Sequence, residues 1–532
     1  MTEYPAKHLE KGSGLQRSNT RTSYTARQSK TSIDDALYYL RQHADVLGEQ
    51  DIDLKRLRRK IDWRILPIMY FLMGLQFLDK YVFKYAIIMA LPEDLDLEKG
   101  NRLNNAASSI FWTYLAFSPV VGLTLNKVPV AKFVGVAMAL WGIVNACLAA
   151  VQNYPQIMAI RLLMGMADAA IPPSLMLLSA QYYRKDEQAI RYAIWFSSIG
   201  MAEILGGFIS YGFQFVTNTS LASWRIMYLV LGIISAVAGI VCLVLMPDTP
   251  MNARFLTDAE KTAILHHVSH NKTGIASRHW ELGQIKEFVS DPQIWLLALN
   301  VTIIACGTGI TTTYGAKLIK SFGFTSKEAA LLSTPGGAVG LVAILFGAYC
   351  VHKHWLQRWA VCTIGYSLAF IGAALLAWTP QHNQGAKLTG IYMIQFSLST
   401  VAIKYQWVAA NVAGHTKRGL AAAMLSGANS LGQIIAPYAV QQKDAPEYHT
   451  GKDVLVATKL SAIFIIIFLA LYYVWENRRR DRVYGPANDV VQQDLAHSME
   501  VDDGREDVTP DDSSETWANL TDRQRKSFRY MY

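Results

Sequence analysis

Residues 133–151 read FVGVAMALWGIVNACLAAV, a stretch that holds no charged side chain. A helix needs roughly 20 mainly apolar residues to cross the hydrocarbon core of a bilayer. Similar stretches occupy 226–246, 359–378 and 454–475. They are too long for ordinary core helices of a soluble protein, so they predict an α-helical membrane protein.

The composition of the whole chain agrees with this prediction. Of its 532 residues, 52% are hydrophobic and 17% are charged, whereas a soluble protein carries roughly a quarter charged residues. The apolar stretches predict twelve spans, at 65–87, 105–125, 133–151, 157–179, 192–213, 225–246, 293–315, 328–351, 359–378, 388–411, 420–440 and 455–475. We therefore expect an all-α fold of twelve transmembrane helices in two six-helix bundles.

Basic residues flank both ends of the predicted membrane region. The first span follows the segment KRLRRK at 55–60, and the last is followed by three arginines at 478–480. Loops rich in Lys and Arg stay in the cytoplasm, so both chain ends are predicted to be cytoplasmic. This bias accounts for the net charge of +9 without a nucleic-acid partner, because no basic stripe is interleaved with aromatic residues.

The division into six and six spans predicts five regions along the chain. They are a disordered N-terminal tail (1–50), an N-terminal bundle (51–246), a linker with short amphipathic helices (247–292), a C-terminal bundle (293–480) and a mostly unstructured C-terminal tail (481–532). Asn218, in an outer loop, begins a glycosylation sequon. The five cysteines form no CxxC pair, so we expect no disulfide framework, no metal site and no cofactor.

A few ionisable residues interrupt the apolar spans, where each costs on the order of 2.5–3.5 kcal/mol. They are Asp79, Lys80, Lys84, Arg161, Asp168, Glu203 and Lys404. Lys80 and Arg161 fall at similar depth on two helices, which predicts that both bind one anionic group. Asp168 lies two turns beyond Arg161 on the same face, where it is placed to accept a proton. The alternative is that Asp79 and Asp168 neutralise the two cations as static pairs.

The remaining intramembrane charges allow more than one interpretation. Lys84 is expected to extend its amine to the outer interface, as long basic side chains do near helix ends. Glu203 is either a second proton site or the partner of a cation. Lys404 either binds substrate or extends to the cytoplasmic face, which we favour slightly. Pro172 and Pro173 should kink the fourth span just beyond Asp168.

Several local motifs resemble those of the major facilitator superfamily, and within it the anion:cation symporter family and its fungal allantoate-permease branch. They include IDWRILP at 61–67 with QFLDK at 76–80, RLLMG at 161–165 with Asp168, and YRKDEQ at 183–188 with Arg191. Others are Trp224-Arg225, PDTP at 247–250, and Asn411 followed by Gly414 and Lys417. The resemblance covers roughly residues 50–480.

The resemblance implies proton-coupled uptake of a small organic anion or vitamin-like nutrient. In bacterial relatives an Asp-Arg pair in the first span, and an Arg followed seven residues later by Glu in the fourth, carry substrate binding and proton coupling. Asp79-Lys80 and Arg161 with Asp168 occupy those places here. Lys replaces Arg and thereby loses the forked guanidinium that suits a carboxylate.

The expected function is therefore a secondary active transporter, in the plasma membrane or else an internal membrane, that works as a monomer. Substrate binding is assigned to Lys80, Arg161 and Lys404, and proton coupling to Asp168, Asp79 and Glu203. A drug:proton antiporter is the nearest rival, although the fifth span lacks the proline of such exporters. A nutrient sensor that no longer transports is the other alternative. The membrane region contains no motif typical of an enzyme.

Overall fold

The computed structural model describes residues 53–125, 127–216, 220–269, 281–380, 382–486, 521–526 and 528–532. Within these residues the chain forms helices joined by loops, and twelve long helical segments lie where the twelve spans are predicted. They are α1 (Leu54–Ile87), α2 (Arg102–Leu125), α3 (Val130–Cys147), α4 (Tyr154–Asp168 and Ile171–Tyr182), α5 (Lys185–Phe196 and Ser198–Phe213), α6 (Ser223–Leu245), α7 (Pro292–Lys320), α8 (Ser326–Leu332 and Thr334–His352), α9 (Arg358–Trp378), α10 (Gln384–Ile394, Gln395–Thr400 and Val401–Asn411), α11 (His415–Ile435) and α12 (His449–Tyr484). The N-terminal tail and Asn218 lie outside the described residues.

Ten of the twelve helices are long and apolar enough to cross a membrane, and the exceptions are α10 and α11. These two carry polar residues such as Gln395 and Asn429 away from their ends. Both helices contribute to the walls of a cavity inside the protein. Their lower apolarity therefore reflects a position between protein and cavity, where polar side chains keep hydrogen-bonding partners.

Local sequence signals define where several helices start. The side chain of Asp53 accepts a hydrogen bond from the Lys55 backbone N–H at the start of α1. Asn153 caps α4 in the same way, and a proline follows two residues later. Thr325 forms a capping box at the start of α8. Such caps satisfy backbone N–H groups that have no partner within the helix.

The helix α6 illustrates how the bundle meets lipid. Leu229, Ile233, Val237 and Val244 are exposed along one of its faces. The other face buries Trp224 and is packed closely against α3. A Cβ atom on Gly142 of α3 would lie 2.7 Å from the carbonyl oxygen of Gly232 in α6, so glycine is needed for this close approach.

The helices group into two bundles of six. In the first bundle α1 packs on α5, α2 on α4 and α3 on α6, and in the second α7 packs on α11 and α9 on both α10 and α12. Between the bundles, the most extensive contacts join α5 to α8 and α2 to α11. Because twelve helices alternate in direction, α1 begins and α12 ends on one side of the membrane, which we call the terminal side. The sequence predicts that this side is cytoplasmic.

The succession of long helices is interrupted within α4 and again between α6 and α7. The helix α4 is interrupted at Ala169 and Ala170, next to Ile171 and Pro172, at the place where the sequence predicts a kink. Between α6 and α7, the described residues form two short helices, Asp258–Ser269 and Leu282–Val289. Lys60 at the start of α1 pairs with Glu260 in the first of them at 2.7 Å.

The described end of the C-terminal tail is packed against the protein, whereas residues 487–520 of the tail lie outside the described residues. Asp522 is fully buried and lies 2.7 Å from the buried amine of Lys417 at the start of α11. Arg480 of α12 donates to the carbonyl oxygen of Asp522 at 2.8 Å. The sequence gives no sign of this docking, because it depends on charges from α11, α12 and the tail that are distant in the chain.

Candidate functional site

A cavity of about 2080 Å³ lies between the two bundles. Its walls come from α1, α2, α4 and α5 on one side and from α7, α10 and α11 on the other. Toward the terminal side the walls include Lys127, Lys132 and Asp248, which belong to loops and helix ends at that surface. The cavity therefore reaches from the middle of the protein to the terminal side.

Hydrogen bonds between the bundles close the opposite side. The Tyr314 hydroxyl of α7 donates to the Asn104 side chain of α2 in a short hydrogen bond. The Tyr438 hydroxyl, just beyond α11, donates to Asn105 of α2 at 2.8 Å. With these contacts in place the protein is open to the terminal side and closed to the other, one of the two states that alternating access requires.

Lys80 and Asp168 form an ion pair at the wall of the cavity. The Lys80 amine lies 3.3 Å from a carboxylate oxygen of Asp168, and the side-chain amide of Gln76 donates to the other oxygen at 2.6 Å. Asp168 is buried, whereas the Lys80 side chain is 20% exposed. The static alternative expects the two carboxylates to neutralise the two cations, and the structure contains one such pair, between Lys80 of α1 and Asp168 of α4.

Arg161 is buried at the cavity wall and held by backbone groups of α2. Its Nε donates to the Ala106 carbonyl at 2.5 Å and its Nη2 to the Ala107 carbonyl at 3.4 Å. The guanidinium lies 3.8 Å from the ring centroid of Phe83, in a cation–π contact. Nη1 is buried and has no hydrogen-bond partner within the described residues, while Arg161 as a residue lines the cavity.

Asp79 is buried beside this group of charges. One of its carboxylate oxygens has no hydrogen-bond partner in the described part of the chain. The charges of Arg161, Asp168 and Lys80 all act on it. The structure thus brings Asp79, Lys80, Arg161 and Asp168 together in one cluster, two cations with two carboxylates, on the wall formed by the first bundle.

Lys84 does not extend to the outer interface, so that expectation is wrong. Its amine is buried 2.7 Å from a carboxylate oxygen of Glu203 on α5. The other oxygen of Glu203 accepts a hydrogen bond from Gln395 of α10 at 2.5 Å. Because Glu203 neutralises the Lys84 amine inside the protein, the side chain gains no free energy by extending toward water. Glu203 therefore has the cation partner that the sequence analysis left as one alternative.

Lys404 of α10 faces the central cavity, which corrects the slight preference for an extended position at the cytoplasmic face. It is 6% exposed and lies seven residues before the end of α10 at Asn411, a depth of about 10 Å. Among the described residues it has no hydrogen bond or ion pair. The structure thus brings it to the same cavity as Lys80 and Arg161.

A second basic residue near Lys404 is absent from the predicted site residues. Lys459 is fully buried in α12, and its amine donates to the hydroxyl of Ser397 at 3.3 Å. Ser397 itself lines the cavity. A signal was present, because Lys459 falls five residues inside the predicted span 455–475. It is an intramembrane charge of the kind that marks functional sites in membrane proteins.

Several residues that carry the family resemblance connect or cap helices of the first bundle outside the cavity. The guanidinium of Arg191 binds both carboxylate oxygens of Asp62 at 2.8 Å, which joins α5 to α1. The Asp248 carboxylate accepts hydrogen bonds from the backbone N–H groups of Ala131 and Lys132, and so caps α3. These residues have structural roles on the terminal side of the first bundle.

Comparisons with known proteins agree with this architecture. A model of the Major Facilitator Superfamily matches residues 69–437. The uncharacterized transporter C417.10 of Schizosaccharomyces pombe is 32% identical over 81% of this chain and 84% of its own. The thiamine pathway transporter THI73 of Saccharomyces cerevisiae is 29% identical over 92% of this chain and 89% of its own. The allantoate permease of the same yeast is 28% identical over 85% of each chain.

Among solved structures, the chain is similar to a bacterial homolog of the human lysosomal transporter Spinster in an inward-facing, unoccupied conformation. The TM-score is 0.56 with 13% sequence identity, over 77% of this chain and 95% of the other, a likeness that concerns the fold alone. Because the family model matches more than half of the chain and the relatives align over most of its length, the chain belongs to the Major Facilitator Superfamily, in the fungal branch that includes the allantoate permease.

Proposed function

We propose that this multi-pass membrane transporter takes up a small organic anion together with protons across the plasma membrane. The observation that carries the proposal is the charge of the cavity lining. Within the described residues the lining contains five basic side chains, those of Lys80, Lys127, Lys132, Arg161 and Lys404, and the single acidic side chain of Asp248. A cavity of this charge attracts anions and repels cations.

The name of one relative is compatible with such a substrate. Allantoate, after which one relative is named, is a carboxylate with ureido groups that form hydrogen bonds. The cavity lining offers polar partners for such groups, among them Ser426, Asn429 and Gln433 of α11. A carboxylate with a polar body therefore suits the cavity better than a purely apolar compound.

The ion pair between Lys80 and Asp168 supplies a route for coupling to protons. While Asp168 is ionised it holds the Lys80 amine, because opposite charges attract strongly away from water. A proton on Asp168 removes that attraction and frees Lys80 to contact the substrate from the wall of the first bundle. The reverse order on the other side of the membrane releases both, so the substrate and the proton travel together.

The substrate class is tested by uptake of a labelled panel in cells that lack their own carriers. The panel contains allantoate, nicotinate, pantothenate and short carboxylates, with thiamine as a cation. We expect accumulation of at least one anion, increased by an acidic outside pH, and none of thiamine. Accumulation of thiamine alone would contradict the anion proposal.

Proton coupling is tested with purified protein in liposomes. Asp168→Asn should retain exchange of substrate across the membrane but lose accumulation driven by a pH gradient, because Asn cannot release a proton. Asp96→Asn, at an exposed carboxylate, is the control and should behave as the wild type. Accumulation by Asp168→Asn would refute the coupling role. Silence of the wild type across the panel would favour a sensor, and pH-driven export would favour an antiporter.

A further inference from the structure

The wall that the second bundle contributes to the cavity carries positive charge without a matching carboxylate. Lys404 on α10 and Lys459 on α12 are both buried, and the charge of each acts on the other. Within the described residues neither forms an ion pair with a carboxylate. The other titratable groups that face them are thiols, Cys306 from α7 toward Lys459 and Cys362 from α9 toward Lys404.

The opposite wall is different because its charges are balanced. Lys80 is paired with Asp168, and Asp79 lies close enough to Arg161 for their charges to interact. Two cations and two carboxylates leave no net charge on that wall. The excess positive charge near the middle of the cavity therefore comes from Lys404 and Lys459, not from the residues that the family resemblance selects.

The two lysines act on the cavity in different ways, Lys404 directly and Lys459 through Ser397. Lys404 lines the cavity itself and has no partner among the described residues. Lys459 lies behind the wall and donates to the Ser397 hydroxyl, which in turn donates to the Ile394 carbonyl at 2.9 Å. Two like charges in a poorly screened interior repel each other, and an anion in the cavity beside Lys404 relieves that repulsion.

We propose that Lys404 and Lys459 form the anion-binding wall of the cavity. Lys404 contacts the carboxylate of the substrate, and Lys459 is a positioning residue that adds positive charge from behind Ser397. This inference rests on the proposed function and narrows it to a substrate that keeps its carboxylate ionised when bound. A neutral analogue of the same shape gains nothing from either lysine.

The experiment compares a carboxylate with its neutral analogue on the full-length protein in lipid nanodiscs. The probes are nicotinate with nicotinamide and pantothenate with panthenol, and the measurement is the affinity of each from the ligand-dependent rise in Tm. Lys404→Gln and Lys459→Gln should each weaken carboxylate binding about tenfold or more, as the loss of a desolvated charge contact does. The affinity for the neutral analogue should stay unchanged.

Two further variants make the result specific. Lys404→Arg keeps the charge and should restore most of the carboxylate affinity. Lys387→Gln removes another buried lysine of α10 that does not line the cavity, and it should leave both affinities unchanged. Elution of each variant as a single species on size exclusion verifies that it is folded.

Each outcome decides between the two proposals. If both glutamine variants bind the carboxylate as tightly as the wild type does, the anion-binding wall is wrong while the proposed function stands. If Lys459→Gln weakens the carboxylate and the neutral analogue alike, Lys459 has a merely structural role and its assignment is wrong. If the wild type binds no carboxylate of the uptake panel, allantoate and the short carboxylates included, the proposed function and this inference both fail.

Discussion

Arg161 shows how one side chain in the cavity wall depends on its shape as well as its charge. Its Nε and Nη2 bind two successive carbonyl groups of α2 while the flat face of the guanidinium covers Phe83. A lysine has three donors on one atom and no flat face. It therefore cannot hold both carbonyl groups in this geometry and stack on the ring.

This argument predicts that Arg161→Lys reduces transport even though the charge is retained. We expect initial uptake of the identified substrate to fall about tenfold or more, because the cation is no longer held in place. Arg102→Lys is the control, since Arg102 lies in an exposed ion pair with Asp96 and surface pairs contribute little. Wild-type uptake by Arg161→Lys would show that the position needs only a charge.

At the scale of helices, the pair of Lys84 and Glu203 joins α1 to α5 deep in the membrane. Both residues are buried, and Gln395 extends the contact to α10. An ion pair inside a low-dielectric interior costs desolvation twice, and its removal as a whole is often neutral. Removal of one partner is costly because the other charge stays buried alone.

We therefore predict that Lys84→Met and Glu203→Gln each destabilise the protein by about 3–5 kcal/mol, and that the double variant regains most of the loss. The measurement is Tm in detergent for the two single variants and the double variant. Lys99→Gln and Asp96→Asn, at an exposed pair, give the matched control cycle and should show no coupling. A double variant whose loss equals the sum of the single losses would contradict the pairing.

The helices themselves were predictable because membrane spans are set by the length of apolar sequence. The predicted spans place all twelve helices, although α1 begins at Leu54 and α12 continues to Tyr484, beyond the hydrocarbon core, where apolarity no longer marks the helix. The estimated depths predicted Lys80 beside Arg161 with Asp168 about 10 Å deeper, whereas the structure pairs Lys80 with Asp168. Which of them pair was not predictable, because pairing depends on how the helices are rotated against one another.

The same limit explains the misplaced lysines. Within α1 alone, Lys84 lies near the end of the helix, so its position favours a side chain that extends its amine to water. Its actual partner, Glu203, is 119 positions away in the chain, and no local pattern connects them. The docked tail, with Asp522 against Lys417, escaped prediction for the same reason.

The C-terminal segment, residues 521–526 and 528–532, packs across the ends of α7, α10, α11 and α12, and we call it the clasp. Beside its contacts to Lys417 and Arg480, Asp522 accepts a hydrogen bond from the Tyr530 hydroxyl at 2.7 Å. The backbone N–H of Met531 donates to Asn411 at the end of α10. The N–H of Tyr530 donates to Asn477 of α12. One buried carboxylate thus organises the whole segment.

Asp522→Ala should release this segment while the bundles stay folded, because Lys417 keeps Asp291 and Glu287 as partners. We expect the backbone N–H groups of Tyr530 and Met531 to exchange with deuterium about tenfold faster or more, as groups do when a local segment opens. Asp481→Ala, which removes a half-exposed partner of Arg529, should change the exchange less. Unchanged protection in Asp522→Ala would mean that the clasp does not depend on Asp522.

For the whole molecule, the closed side depends on how near α5 can come to α8. A Cβ atom on Gly207 of α5 would lie 2.8 Å from the Ala330 carbonyl and 2.6 Å from a methyl group of Thr334. Both contacts join the two bundles on the side away from the chain ends. A larger side chain at Gly207 must therefore push the bundles apart there, and rocking about the centre would then narrow the cavity on the terminal side.

Gly207→Leu is accordingly predicted to shift the protein toward the state that is open away from the chain ends. Spin labels at Asn101 and Lys320, which are exposed on that side in the first and second bundles, should move apart by several ångströms in double electron–electron resonance. Gly212→Leu is a matched control on the same helix, because a Cβ there has nothing within 4 Å. Since the bundles move against each other as bodies, the shift should appear in Gly207→Leu and not in Gly212→Leu. Equal label distances in both variants would show that contact between α5 and α8 does not limit the closed state.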